Sequence, residues 1–160
     1  MSPLGALIGG GLVTAGLVAY VAYQVGNSRR MGGVRPMLRS IPEALDRAKR
    51  SRRNVLVIFV QPEEASSDAL LAAIQGAGGL EAELRRGFEL VRIDSPEEDR
   101  EVTDHLAAKY GIPRLEVPTV LALDAKSEKL GTLEGKDKIG TGEKALEALR
   151  SFVVLVRPGG

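Results

Sequence analysis

Apolar residues recur along this chain in three rhythms. The first is an unbroken run: Leu4 to Val25 carries no charge over 22 residues. At roughly 1.5 Å per residue, a helix of that length crosses the ~30 Å hydrocarbon core of a bilayer. The run therefore predicts a membrane-spanning helix within residues 1–25. The second rhythm is helical. Ser40 with Pro42 and Glu43 marks a helix start, and Ala44, Leu45 and Ala48 supply its apolar face. That helix fades in Lys49-Arg50-Ser51-Arg52-Arg53, a solvated end favoured by the helix dipole. Further helical patterns cover Ala69 to Ile74, Leu80 to Arg86, Pro96 to Tyr110 and Gly142 to Val156. The third rhythm is that of strands. Val55 to Val60 is a continuous apolar run, the pattern of a strand buried on both faces. Phe88 to Asp94 alternates, Val117 to Leu123 is again apolar, and Lys129 to Glu134 follows a turn at Asp124 to Glu128. The order α-β-α-β-α-β-β-α predicts an α/β sandwich around a central mixed sheet over residues 42–156. Residues 26–41 read as a linker and 157–160 as a tail.

Charge adds a direction to this layout. The chain holds 22 basic and 21 acidic residues, so its net charge of +1 gives no reason to expect nucleic acid. The distribution is uneven. Residues 1–42 contain Arg29, Arg30, Arg35 and Arg39 and no acid, which leaves 18 positive against 21 negative charges, −3, in the remainder. A basic segment just beyond an apolar helix fits anionic lipid headgroups. By the positive-inside rule it predicts the N-terminus outside and the C-terminal domain in the cytoplasm. A cleaved signal peptide is the plainer alternative. It is opposed by the absence of a basic stretch ahead of the run and of a clear small-x-small cleavage site after it.

Within the apolar run, Gly5 and Gly9 form a GxxxG pair, and Gly11, Ala15 and Ala19 continue a stripe of small residues. Small residues let helix backbones approach closely, which in lipid replaces the missing hydrophobic drive. The stripe predicts packing against other transmembrane helices of a membrane protein complex.

The soluble part resembles the thioredoxin-like family over residues 42–156. Val55-Leu56-Val57-Ile58-Phe59-Val60-Gln61-Pro62 resembles the strand that leads into that family's redox helix. Phe88 to Asp94 resembles its next strand. Lys109-Tyr110-Gly111-Ile112, followed by Val117-Pro118-Thr119, resembles the helix end and the cis-proline loop. Leu130 to Gly135 resembles the last strand. The resemblance implies a three-layer sandwich and a cis peptide before Pro118. It also places the family's two redox cysteines at Glu64 and Ser67, the preceding tryptophan at Glu63, and the buried proton-accepting acid at Ile58.

The chain has no cysteine at all. Disulfide exchange needs a thiolate to attack sulfur, so this degenerate, redox-inactive motif has lost nucleophile, resolving thiol and proton relay together. Glu63 and Glu64 ahead of Ser66, Ser67 and Asp68 suggest a paired-carboxylate site. They read more simply as a helix start, with acids complementing the dipole and serines capping free N–H groups. His105 stands alone, and the acids Glu97, Glu98, Asp99, Glu101 and Asp104 read as a solvated face, so no metal and no cofactor are expected. The stretch Gly131 to Gly142 fails the phosphate-loop pattern and reads as a surface turn, with Lys136 and Lys138 available to a lipid headgroup.

The functional expectation is a non-enzymatic, membrane-anchored accessory or scaffolding subunit of a larger membrane complex, for example an energy-transducing one. Its docking residues would be Glu63, Glu64, Ala65, Ser66, Val117, Pro118 and Thr119. A membrane-tethered chaperone or assembly factor binding peptides at the cis-proline surface is the alternative, and an enzyme with a non-thiol mechanism a third.

Overall fold

The computed structural model describes residues 35–157. The expected membrane helix, with Gly5, Gly9, Gly11, Ala15 and Ala19, and the arginines Arg29 and Arg30 lie outside the described residues. Among those described, no helix is long and apolar enough to cross a membrane. Two compact units divide at Pro36 and Met37, and the folded domain is the second.

Strand β1 (Asn54–Val60) organises that domain. From Val55 to Val60 every residue has no accessible surface. Successive side chains of a strand point to opposite faces, and the apolar run feeds two cores. Leu56, Ile58 and Val60 enter one, beneath helices α2 (Ala65–Gln75), α3 (Glu81–Gly87) and α6 (Glu143–Val156). Val55, Val57 and Phe59 enter the other, beneath α1 (Ile41–Ser51) and α4 (Arg100–Lys109). The remaining strands are β2 (Phe88–Asp94), β3 (Thr119–Leu123) and β4 (Lys129–Glu134). Their order is β2-β1-β3-β4, with β1 parallel to β2 and antiparallel to β3, and β4 antiparallel to β3. The expected three-layer sandwich with a mixed sheet is thus the observed one.

Local chemistry fixes the entry into this sheet. The hydroxyl of Ser40 caps α1 by accepting from the Glu43 N–H at 3.4 Å, and Pro42 sits in the first turn, where its missing N–H costs nothing. Just upstream, Leu38 N–H donates to the Leu90 carbonyl at 2.9 Å, and Arg92 N–H to the Leu38 carbonyl at 2.8 Å. Leu38 thereby forms a parallel bridge to Val91 that occupies the outer edge of β2, and Met37 is buried. Arg39 reaches Asp94 at 3.0 Å. The last residues of the segment read as linker are therefore built into the sheet edge, through backbone bonds that carry no side-chain signature.

Three local expectations are corrected. The helix expected from Pro96 begins as a short 3₁₀ turn, Glu97–Asp99, and becomes α-helical only at Arg100. Asp99 at φ −108°, ψ 18° interrupts the helical path, and no side chain caps this start. The strand expected from Val117 begins at Thr119, since Pro118 has no N–H to give a ladder. The expected surface turn from Gly131 to Gly142 is instead the end of β4 followed by a one-turn helix, α5 (Lys136–Ile139), whose Ile139 is fully buried. A lone apolar residue among lysines and glycines creates no period, so the turn of helix had no sequence signal.

Removing core volume from β1 should be costly. Ile58→Ala is expected to lower unfolding free energy by about 2–5 kcal/mol in urea melts of the full chain. Leu130→Ala, at a residue 43% exposed on β4, is expected to stay within about 0.5 kcal/mol. Equal effects would contradict the central role of β1.

Candidate functional site

Strand β1 ends at Val60, and the chain turns sharply into α2. Glu63 takes up a left-handed conformation, φ 64°. Glu64 N–H donates to the Gln61 carbonyl at 3.3 Å, and Glu64 becomes the N-cap of α2. Its carboxylate accepts from Ser66 N–H at 3.1 Å and from Ser67 N–H at 2.8 Å, satisfying two donors that a helix start leaves free. The Ser67 hydroxyl turns the other way and accepts from Gln61 N–H at 3.0 Å. The expected capping roles are thus reversed: the carboxylate caps, and Ser67 ties the helix back to the strand. Ser66 is nearly buried and Ser67 completely so.

The electrostatics follow from this geometry. Partial burial pushes the Glu64 carboxyl upward, but the N–H groups and hydroxyls of Ser66 and Ser67 outweigh it and hold the pKa below its ordinary 4.5. A general acid or base for neutral pH needs the opposite displacement. Glu64 is an anion committed to the donors of the helix start, so this turn is built to hold a shape.

The second wall comes from the loop before β3. The Val117–Pro118 peptide is cis, as the family resemblance implies. Pro118 and Thr119 are buried, and Val117 is half-buried. Thr119 Oγ1 donates to the Glu116 carbonyl. Gly135 N–H donates to the Pro118 carbonyl at 3.0 Å, which brings the turn after β4 beside this loop. Gly135 has φ +82°, and a Cβ there would stand 2.7 Å from Glu116 Oε2. The Glu116 carboxylate can lie across this turn only because the residue has no side chain.

Between the walls lies a groove of ≈ 390 Å³ lined by Gln61, Glu64, Arg100, Glu116, Val117, Gly135, Lys136 and Asp137. Arg100 Nη2 donates to Gln61 Oε1 at 2.7 Å. Acidic Glu64, Glu116 and Asp137 are interleaved with basic Arg100 and Lys136 around the half-buried Val117. Of the residues expected to dock a partner, Glu64 and Val117 line the groove. Glu63 and Ala65 are exposed outside its lining, while Ser66, Pro118 and Thr119 are buried behind it. Sequence reasoning did not single out Gln61, Arg100, Glu116, Gly135 or Asp137. They come from four separate segments that only the fold brings together. His105 lies exposed on α4 and is not among the lining residues. Among the described residues, no group of His, Asp and Glu side chains could hold a metal ion.

No family model and no curated protein matches this chain. Solved structures do. A disulphide isomerase from Xylella fastidiosa Temecula1 is 20% identical, with a TM-score of 0.59, over 71% of this chain and 88% of its own. The DsbH oxidoreductase is 20% identical, with a TM-score of 0.55, over 79% and 98%. The oxidised C-terminal domain of Neisseria meningitidis DsbD is 15% identical, with a TM-score of 0.50, over 72% and 98%. Identities this low speak to fold alone. The fold is thioredoxin-like, and without a cysteine the chain cannot act as a thiol-based oxidoreductase.

Glu64→Ala is expected to cost about 1 kcal/mol at pH 7 in urea melts. Because the folded-state pKa is depressed, the contribution of the charge is full above the ordinary value of 4.5 and is lost as pH falls through the lowered folded value. The difference in stability between wild type and Glu64→Gln should therefore shrink in acid. A difference that grows there would contradict the cap.

Proposed function

We propose that this chain is a membrane-anchored, non-catalytic docking protein, an accessory or scaffolding subunit of a larger membrane complex. The single observation that carries this reading is the groove at the strand ends. It keeps a concave, charged wall beside Val117, while the position of the reactive turn is occupied by a satisfied helix cap with no thiol. Such a surface can recognise and cannot exchange disulfides.

The proposed ligand is an extended segment of a partner subunit. Interleaved acids and bases favour a segment with charges of both signs, since complementary charge selects partner and register more than it adds affinity. The anchor is Leu4 to Val25, with the domain on the cytoplasmic side. Its Gly5/Gly9 and Gly11/Ala15/Ala19 faces would pack on partner helices. The proteins of similar fold are described as a disulphide isomerase and an oxidoreductase. Their chemistry does not carry over to a chain without cysteine.

Extraction in mild detergent followed by sizing tests the reading. The expected result is co-elution with at least one other membrane subunit, and a free monomer would overturn it. A photo-crosslinker at position 117 should capture one stoichiometric partner, whereas many sparse clients would mark an assembly factor instead. Reversing both groove cations, Arg100→Glu with Lys136→Glu, should weaken capture about tenfold. Thermal melting should be close to wild type.

A further inference from the structure

The two ends of the sheet differ in charge. Leu38 pairs in parallel with Val91, so the chain enters the domain at the Phe88 end of β2. Asn54, the first residue of β1, stands in register with Phe88. The last turn of α6 arrives at the same end, where Asn54 Nδ2 donates to the Val156 carbonyl at 3.5 Å. Arg52 closes α1 there, and Lys126 lies with Asp124 and Glu128 in the turn between β3 and β4. Arg86 and Arg157 flank a shallow groove of ≈ 310 Å³ beside Phe88. Arg157 is held by Glu83 at 2.6 Å and Arg53 by Glu89 at 3.4 Å. Among the described residues, Arg52, Arg86 and Lys126 are exposed and have no carboxylate partner.

The opposite end, around the docking groove, carries exposed Glu63, Glu97, Glu98, Asp99 and Glu116, which outnumber the groove bases Arg100 and Lys136. A field of this polarity turns the strand-start end toward an anionic surface and the groove end away from it. A second observation lies at the basic end. Val154 and Leu155 are 69% and 83% exposed on the outer face of α6, one turn from Arg157. Aliphatic side chains flanked by arginines suit a headgroup boundary, where the guanidinium groups meet phosphate and the aliphatic groups leave water.

We propose that the strand-start end of the domain rests on anionic phospholipid, with Arg52 and Arg86 at the headgroups and Val154 and Leu155 below them. This rests on the membrane-anchored reading above. Residues 26–36 would tether the domain to the anchor over at most roughly 40 Å, so a contact too weak for a free protein suffices. The docking groove then faces the cytoplasm, open to a partner.

The absence of cysteine permits a direct test. Full-length Leu155→Cys and Lys138→Cys, each labelled with an environment-sensitive fluorophore, are reconstituted into vesicles of phosphatidylcholine alone or with about one third phosphatidylserine. Nitroxide lipids are expected to quench the label at position 155 when phosphatidylserine is present, and to leave position 138 unquenched. Arg52→Glu with Arg86→Glu should reduce the fraction in contact about tenfold or more, since each reversal removes an attraction and adds a repulsion. Both residues are exposed, and unchanged far-UV circular dichroism verifies the fold. Retention on both vesicle types through an alkaline wash reads the anchor separately. Retention without quenching at position 155 overturns the lipid contact and leaves the anchor standing. Quenching equal at both positions, or protection at position 155 that depends on protein density and not on phosphatidylserine, also overturns it, the latter in favour of a second copy of the chain. Loss on washing removes the anchor on which the proposal rests.

Discussion

The domain depends on one strand whose side chains are all removed from water. Val55 to Val60 have helices on both sides, and the strand is hydrogen-bonded to β2 on one edge and β3 on the other. Each large apolar side chain fully buried in this way contributes about 1.5–3 kcal/mol. A polar residue placed there would be destabilising unless it found a hydrogen-bond partner. This explains Ile58, at the position where the family resemblance implies a buried acid. Where no thiol is to be deprotonated, an apolar side chain is the cheaper occupant of a dry core.

The groove follows from the same strand. Because β1 and β2 run parallel, both release their chains at one end of the sheet, where Ser95 N–H donates to the Val60 carbonyl at 2.7 Å. The helix start at Glu64 and the loop at Val117–Pro118 are fixed there by hydrogen bonds to backbone. This corner is held firmly without any thiol. The carboxylate of Glu64 and the hydroxyl of Ser67 bind three backbone N–H groups that would otherwise be left free.

Chain entry closes one edge of the sheet. Leu38 on the outer edge of β2 covers an edge that would otherwise offer unpaired N–H and C=O groups to other chains.

Much was legible in the order of residues. The unbroken run at Val55 identified a doubly buried strand, because only such a strand needs apolar residues at both parities. Ser40, Pro42 and Glu43 marked the start of α1 by local capping chemistry, and the empty cysteine count excluded thiol exchange outright. The missed features all depended on distant partners. Leu38 joins the sheet through backbone bonds that leave no mark on side-chain choice. Ile139 is buried by a fold that its lysine neighbours do not announce. Glu64, and not the serines, caps α2 because the turn at Glu63 swings its carboxylate onto two N–H groups. The sequence by itself determined the main strands and helices and which chemistry is impossible, since periodicity, capping and the absence of cysteine are local properties. Only the tertiary structure decided that Gln61, Arg100, Glu116, Gly135 and Asp137 share one groove with Glu64. Their proximity is set by strand order and register, quantities that exist only once the sheet has formed.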